Sequence, residues 1–247
     1  MLAEQDRKSL SVPRAGASRP EHDDSPSNPV DFRVWVQDSM TNSPLYTTDG
    51  YASLIDEAIE IICELRERFW ENERTTWIRL IKRGKILKEF NEVIPIAYRV
   101  RAYVKTVLSS NPSQALTILD LCSGIGYLSI LLSELLNRDY KRSNNNPNNP
   151  NLLDNITFVL IDKSFPQLNQ PTQKHHINPE HLTQNLFPGR MKYRKYDLKA
   201  TSSLRQLQKH ILDPSLGPIC VLGIYHIYTY IISHLTSHLS LSLSLTD

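Results

Sequence analysis

The chain has 247 residues, 40% of them hydrophobic and 22% charged, a composition typical of a globular protein with one good-sized core. Its formal net charge of +2 is too small to predict nucleic-acid binding by itself, because phosphate binding requires a concentrated basic surface. The three cysteines, Cys63, Cys122 and Cys220, are odd in number and far apart, which excludes a disulfide framework and a CxxC zinc site. They favour a reducing compartment, the cytoplasm or the nucleus, and no apolar signal segment opens the chain.

The first 110 residues divide into a polar leader and a helical region. Residues 1–48 combine five prolines with Ser, Asp and Arg and show few periodic apolar positions, so we expect a mostly disordered leader. Residues 51–110 carry apolar side chains at helical spacing, and this pattern predicts three helices.

Local signals suggest where these helices begin. The first is expected to start at a capping-box-like pair, Ser53 and Asp56. The second spans residues 75–90 and is weakened at Gly84. The third begins after Pro95, a favoured first-turn residue, and continues close to the end of the helical region.

From residue 115 the pattern changes to short apolar runs that alternate with helical stretches. Such alternation predicts an α/β domain over residues 115–224, with a parallel sheet and crossover helices. The predicted strands are LTILDL (116–121), ITFVLID (156–162), MKYRKYD (191–197) and GPICVLGI (217–224), and the predicted helices cover 127–138 and 202–212.

Two segments of the second half lack the character of a folded core. The polar run SNNNPNNPN at 143–151 is interpreted as a surface loop. Residues 225–247 alternate Ser, His and Leu without capping or turn signals, and we interpret this atypical tail as a replacement of ordinary domain sequence, for example by an alternative exon. The sheet is therefore expected to be incomplete at its C-terminal side. The apolar stretch 219–232 is shorter than the ~20 residues that a membrane-spanning helix needs, so no membrane association is predicted.

Residues 118–135, ILDLCSGIGYLSILLSEL, place an acid at a strand end, a turn of small residues and a helix start close together. Gly124 and Gly126 permit positive φ and leave room for a ligand beside the backbone. Two ligand classes use such a turn: dinucleotides through GxGxxG/A, and S-adenosylmethionine through D/E-x-G-x-G-x-G. Ser129 stands where the dinucleotide pattern needs Gly or Ala. Asp120, if it lines an open crevice, repels a pyrophosphate and attracts the ammonium of a methionine group.

This stretch resembles the cofactor loop of class I S-adenosylmethionine-dependent methyltransferases, in the branch that includes the eukaryotic tRNA acceptor-stem ribose 2′-O-methyltransferases. Cys122 stands where the family usually has its first glycine. The resemblance spans residues 115–224 and implies a Rossmann-like domain preceded by a helical region. Asp162 matches the acid that holds the ribose hydroxyls, and Asp197 matches the polar residue beside the adenine amino group. The cofactor-binding residues implied for S-adenosylmethionine are Asp120, Cys122, Ser123, Gly124, Gly126, Asp162 and Asp197.

Several of these residues also have a purely structural explanation. Asp120 could cap a helix or satisfy loop amides, although acids at three successive strand ends favour a ligand. Cys122 is interpreted as a small buried residue and not as a nucleophile, since no basic residue adjoins it to lower its pKa. His175, His176 and His181 lack cysteine or carboxylate partners at ligand spacing, so no metal site is predicted.

A basic region between Arg74 and Lys105 is a candidate RNA-binding surface, with Trp77, Tyr98 and Tyr103 available for stacking on bases. Solvated helix faces carry similar runs of charge, so both interpretations stay open. The nine basic residues are Arg74, Arg79, Lys82, Arg83, Lys85, Lys88, Arg99, Arg101 and Lys105, against Glu89 and Glu92.

These features predict an S-adenosylmethionine-dependent methyltransferase with RNA, such as tRNA, as a candidate acceptor. In the family, residues that orient the acceptor follow the fourth strand, but here Gly223 and Ile224 lead into the atypical tail. No catalytic residue is therefore predicted, and the activity of this chain is expected to be impaired. Two alternatives stay open: a non-catalytic remnant that binds the cofactor or RNA, and an NAD-dependent oxidoreductase, which Asp120 disfavours.

Overall fold

The computed structural model describes residues 28–82, 85–111, 113–143, 152–167, 169–171 and 173–223. The predicted atypical tail and nearly all of the predicted loop at 143–151 lie outside these ranges. In chain order the elements are α1 (Pro29–Thr41), α2 (Ala52–Phe69), α3 (Arg74–Trp77), α4 (Lys85–Ser110), β1 (Leu116–Leu121), α5 (Tyr127–Ser143), β2 (Ile156–Ile161), α6 (Glu180–Thr183), β3 (Arg190–Arg194), α7 (Thr201–Leu207) and β4 (Ile219–Gly223). Short 3-10 helices cover Pro44–Thr47 and Leu152–Asn155, and π-helical turns cover Ile78–Lys82 and Gln208–Leu212.

The four strands form one parallel sheet in the order β3-β2-β1-β4. This confirms the predicted α/β class and the Rossmann-like parallel sheet, and a sheet that reaches only β4 in the described residues is consistent with the predicted incompleteness. Successive strands β1, β2 and β3 step in one direction, whereas β4 lies on the other side of β1. The carboxyl ends of β1 and β4 therefore meet at a topological switch point, where open α/β sheets bind ligands.

Side chains of each strand alternate between the two faces of the sheet, as the pleat requires. On one face Leu119 and Leu121 belong to a small core with α7. On the other face Ile118 joins a larger core that includes α5 and the N-terminal helices. The α5 residues 127–136 are all buried, because this helix lies between the sheet and the helices α2 and α4. Its apolar sequence on nearly every side reflects this central position.

The structure corrects the expectation that residues 1–48 form a disordered leader. Residues 28–48 are ordered, and α1 buries Phe32, Val36 and Met40, which are spaced four residues apart. The Asn28 side chain accepts a hydrogen bond from the backbone N–H of Val30 at 3.0 Å and caps the helix. The proline-rich composition concealed this amphipathic stripe, and residues 1–27 lie outside the described residues.

The predicted start of the first helix near Tyr51 is confirmed, but its predicted cap and the predicted start of the third helix were wrong. Helix α2 starts after Tyr51, and its N-cap makes no side-chain hydrogen bond, so Ser53 and Asp56 form no capping box. Pro95 lies inside α4, although an interior proline removes one backbone hydrogen bond. The neighbouring Val93 and Ile94 are buried in the main core, and this packing offsets the lost bond. None of the described helices combines the length and the apolar character that crossing a membrane requires.

Candidate functional site

The turn between β1 and α5 has an unusual backbone. Cys122, Gly124 and Gly126 have φ values of 57°, 56° and 97°, all in the left-handed region that L side chains rarely adopt. These are the three positions at which the S-adenosylmethionine loop pattern places glycine. Cys122 therefore occupies a conformation that a glycine would adopt at less cost.

The two glycines of the loop meet different surroundings. A Cβ added to Gly126 would lie 2.4 Å from Cδ2 of Leu160, so this glycine allows close packing of the loop on β2. A Cβ added to Gly124 would meet no atom within 4 Å, so the space above this glycine is open. Gly126 thus serves the fold, and Gly124 exposes backbone at the switch point.

Asp162 connects the loop to the end of β2. One carboxylate oxygen accepts a hydrogen bond from the backbone N–H of Gly124 at 3.0 Å, and the other accepts from the N–H of Ser164 at 2.7 Å. The backbone N–H of Ser123 also donates to the carbonyl of Ile161 at 3.0 Å. The carboxyl end of β2 therefore holds the loop, and Asp162 remains partly exposed beside it.

Asp120 is not placed as the sequence argument required. Its side chain is 1% exposed and accepts a hydrogen bond from the Ser129 hydroxyl at 2.8 Å. It points into the interior because it shares the α5 side of β1 with Ile118, two residues earlier. The expectation that this carboxylate lines an open crevice is wrong for this structure. Asp120 instead lies beneath the loop and accepts a hydrogen bond from Ser129 in the first turn of α5. This placement resembles the helix-capping alternative considered from the sequence.

Burial raises the pKa of Asp120 to about 7, although the hydroxyl and backbone N–H of Ser129 oppose the shift by stabilising the ionised form. The nearby charge of Asp162 raises this pKa further. A carboxyl group that is only half ionised at neutral pH, directly under a loop with open backbone, is typical of functional sites as well as of strained interiors.

The predicted site residues gather around Cys122. Partial desolvation raises the pKa of the Cys122 thiol; the negative charges of Asp162, Asp120 and Asp197 add to this shift, and Lys163 opposes it. All three acids are therefore close enough to act on one thiol. Cys122 itself is exposed, which corrects its interpretation as a buried residue.

Asp197 follows β3 and is exposed. One of its carboxylate oxygens accepts a hydrogen bond from the backbone N–H of Lys199 at 3.0 Å, so the side chain forms part of a local turn. The structure thus brings Asp197 to the same edge of the sheet as Asp162.

We predict that Cys122→Gly stabilises the protein by about 1 kcal/mol, because glycine adopts positive φ without the cost that an L side chain incurs there. Cys122→Val should instead destabilise it by at least that amount, since β-branched residues are the least tolerant of this conformation. Urea denaturation of both variants measures the effect. A Cys122→Gly variant less stable than wild type would contradict the assigned backbone conformation.

His181 and Arg79 lie beside the loop, and the sequence did not indicate either as a cofactor contact. His181 lies in α6, is 1% exposed, and its Nε2 lies 2.9 Å from the carbonyl oxygen of Ile125. Its Nδ1 lies 3.4 Å from Nη1 of Arg79 in the π-helical turn. Burial lowers the pKa of His181 to about 4, so its ring is neutral at pH 7. No local motif could have found this pair, since its members are 102 positions apart.

The basic region is only in part a free surface. Arg101 contacts the carboxylates of Glu57 and Asp139, at 2.9 and 2.6 Å, and Lys105 contacts Asp139 at 3.0 Å. Trp77 is 1% exposed and packs on Trp70, so it is not available for stacking on a base. These two placements correct the expectation for Arg101 and Trp77. Arg83 lies outside the described residues, and the side chain of Lys82 is likewise not described.

Among the described residues no three His, Cys, Asp or Glu side chains gather at distances that would hold a metal ion. Comparison of the chain with protein-family models, with curated proteins and with solved structures gave no significant match.

Proposed function

We propose that residues 122–126 and Asp162 bind S-adenosylmethionine, and that this chain carries the cofactor-binding part of a methyltransferase. The observation that supports the proposal is the loop backbone, with left-handed φ at residues 122, 124 and 126 between a strand end and a helix start. This backbone stands at the switch point of a Rossmann-like sheet, where ligands of such sheets bind.

The residues at this edge suit the parts of that cofactor. Open space over Gly124 leaves room for contact with the backbone. Each carboxylate oxygen of Asp162 accepts one backbone hydrogen bond. Each oxygen therefore keeps a lone pair that can accept from a ribose hydroxyl. Ser123 Oγ is buried and makes no hydrogen bond to the described residues, so it is a polar atom that a ligand can satisfy. In its ionised form Asp120 adds negative charge beneath the loop, which favours a cationic ligand.

The cofactor, when bound, supplies an electrophilic methyl group on a sulfonium centre. What the described residues contribute is binding and orientation, which account for most of the catalysis that methyl transfer requires. The chain is described only to Gly223 at the end of β4, and no catalytic role is assigned to a residue. RNA remains a candidate acceptor. Arg101 and Trp77 do not contribute to its binding, because Arg101 pairs with Glu57 and Trp77 packs on Trp70.

An NAD-dependent oxidoreductase is the competing interpretation, because Asp162 would suit the ribose of either ligand. Two observations disfavour it. Ser129 occupies the third small-residue position of the dinucleotide pattern, and its hydroxyl is bonded to Asp120. The Asp120 carboxyl under the loop opposes a pyrophosphate whenever it is ionised.

Thermal unfolding of the full chain with each ligand separates these alternatives. S-adenosylmethionine at 100 times its dissociation constant should stabilise the fold by about 2.7 kcal/mol. For a chain of this size that corresponds to a rise in Tm of roughly 5–10 °C. NAD at equal concentration should leave Tm unchanged. A rise with NAD and none with S-adenosylmethionine would assign the loop to dinucleotides and overturn the proposal.

A further inference from the structure

Arg79 is a half-buried arginine that lacks a carboxylate partner in the part of the chain that the structure describes. Other arginines that pack against the interior differ in this respect: Arg68 contacts Glu134 at 2.7 Å, and Arg138 contacts Glu64 at 2.6 Å. Glu180 acts on Arg79 only through a longer-range attraction. A partly desolvated guanidinium that pairs with no carboxylate of the described residues retains donors that an incoming carboxylate can use.

His181 holds this guanidinium beside the cofactor loop. A carbonyl oxygen can only accept, so the Nε2–H of His181 donates to Ile125, and Nδ1 of the neutral ring can accept from Arg79 at 3.4 Å; the backbone of Asn178 also interacts with this ring. Arg79 is therefore one imidazole ring away from the loop that runs from Cys122 to Gly126. The π-helical turn that carries Arg79 is also fixed to α5, since the Tyr127 hydroxyl donates to the carbonyl of Leu80 at 3.2 Å.

We infer that Arg79 binds the α-carboxylate of the amino-acid part of the ligand. The inference rests on the proposed function, since it takes S-adenosylmethionine as the ligand of the loop. It gives the N-terminal helical region a role in the site: the loop and Asp162 contact the nucleoside, and Arg79 selects ligands that carry a carboxylate. A bidentate guanidinium–carboxylate pair is the geometry that arginine favours at such sites.

The test compares S-adenosylmethionine with its decarboxylated form, which keeps the sulfonium, the ammonium and the nucleoside. Isothermal titration of the full chain should show that wild type prefers S-adenosylmethionine by roughly tenfold to a hundredfold, the range of a charge-assisted hydrogen bond. Arg79→Met should remove this preference and leave the affinity for the decarboxylated ligand unchanged. Arg79→Lys should keep part of it, and Arg74→Met, one turn earlier and in contact with Trp70, should keep all of it.

The outcomes separate this inference from the function on which it rests. If wild type binds neither ligand, the proposed function fails. If wild type binds both but shows no preference, or if Arg79→Met keeps the preference, Arg79 does not bind the carboxylate and the inference alone is overturned. An Arg79→Met variant that keeps the preference and loses retention of RNA on a filter would assign the guanidinium to phosphate instead, which also overturns it.

Discussion

Asp120→Asn is expected to raise the Tm of the protein at pH 8 by roughly 10 °C and to leave it nearly unchanged at pH 4. The wild-type carboxyl group has a pKa of about 7 in the fold, against an ordinary value of 3.8. The folded protein therefore holds this proton more tightly than the unfolded chain does. The stability contributed by the bound proton is fully present below about pH 4 and is lost as the pH rises through 7.

The size of the effect follows from the difference between the two pKa values. Each unit corresponds to 1.36 kcal/mol, so complete ionisation of Asp120 costs about 4 kcal/mol of folding free energy. Asparagine has nearly the same shape, can still accept a hydrogen bond from Ser129, and does not titrate. The difference in Tm between variant and wild type should therefore grow from pH 4 to pH 8.

Asp197→Asn is the matched control, because it removes one exposed carboxylate from the same edge of the sheet. Its Tm should not reproduce the pH-dependent gain. If Asp120→Asn were less stable than wild type at pH 8, Asp120 would not be a desolvated carboxyl, and its placement beneath the loop would be wrong.

The same variant should bind the cofactor less well while it folds more stably. Above pH 7 Asp120 is mostly ionised and contributes negative charge under the loop, and S-adenosylmethionine carries a sulfonium that S-adenosylhomocysteine lacks. Loss of the charge should therefore weaken binding of S-adenosylmethionine more than binding of S-adenosylhomocysteine. A carboxyl that costs stability at neutral pH has a physical reason if it serves a ligand.

Gly126→Ala should destabilise the protein by about 3 kcal/mol, which lowers Tm by roughly 10 °C. Two costs add at this position. The φ of 97° strains an L residue, and the new Cβ would lie 2.4 Å from Leu160, which is fully buried in β2 and has little room to move. Denaturation by urea measures the change, and a loss below 1 kcal/mol would show that the loop does not pack on β2 as described.

Gly124→Asn is the matched comparison at the open position of the same loop. Asparagine tolerates left-handed φ better than other residues with a side chain, and nothing lies within 4 Å of the added Cβ. This variant should fold with a stability within about 1 kcal/mol of wild type. Its side chain would, however, occupy the space assigned to the ligand.

The sheet was predictable from the sequence because its signals are local. β1 coincides with the run LTILDL, and β2 and β4 lie within the predicted segments, since short apolar runs bounded by turn residues have few other solutions. β3 ends at Arg194, three residues before the predicted end, and the Asp197 side chain accepts a hydrogen bond from the Lys199 N–H in a turn beyond the strand.

The direction of individual side chains was harder to predict. The position of Asp120 near the end of β1 was predicted correctly. Which face of the sheet its side chain points to was not, because successive strand residues face opposite sides and a shift of one residue reverses the direction. Trp77 was assigned to a surface because its neighbours are basic, yet it packs on Trp70, the residue that follows α2. The pair of Arg79 and His181 depends on tertiary contacts alone and has no local signal.

Isothermal titration of wild type and Gly124→Asn with S-adenosylhomocysteine tests the central claim most directly, because it asks whether the open backbone over Gly124 is the ligand site. We predict one saturable site on wild type, and an affinity at least tenfold weaker for Gly124→Asn, with a Tm within about 4 °C of wild type. Absence of binding to folded wild type, or equal affinity of the two proteins, would contradict the account.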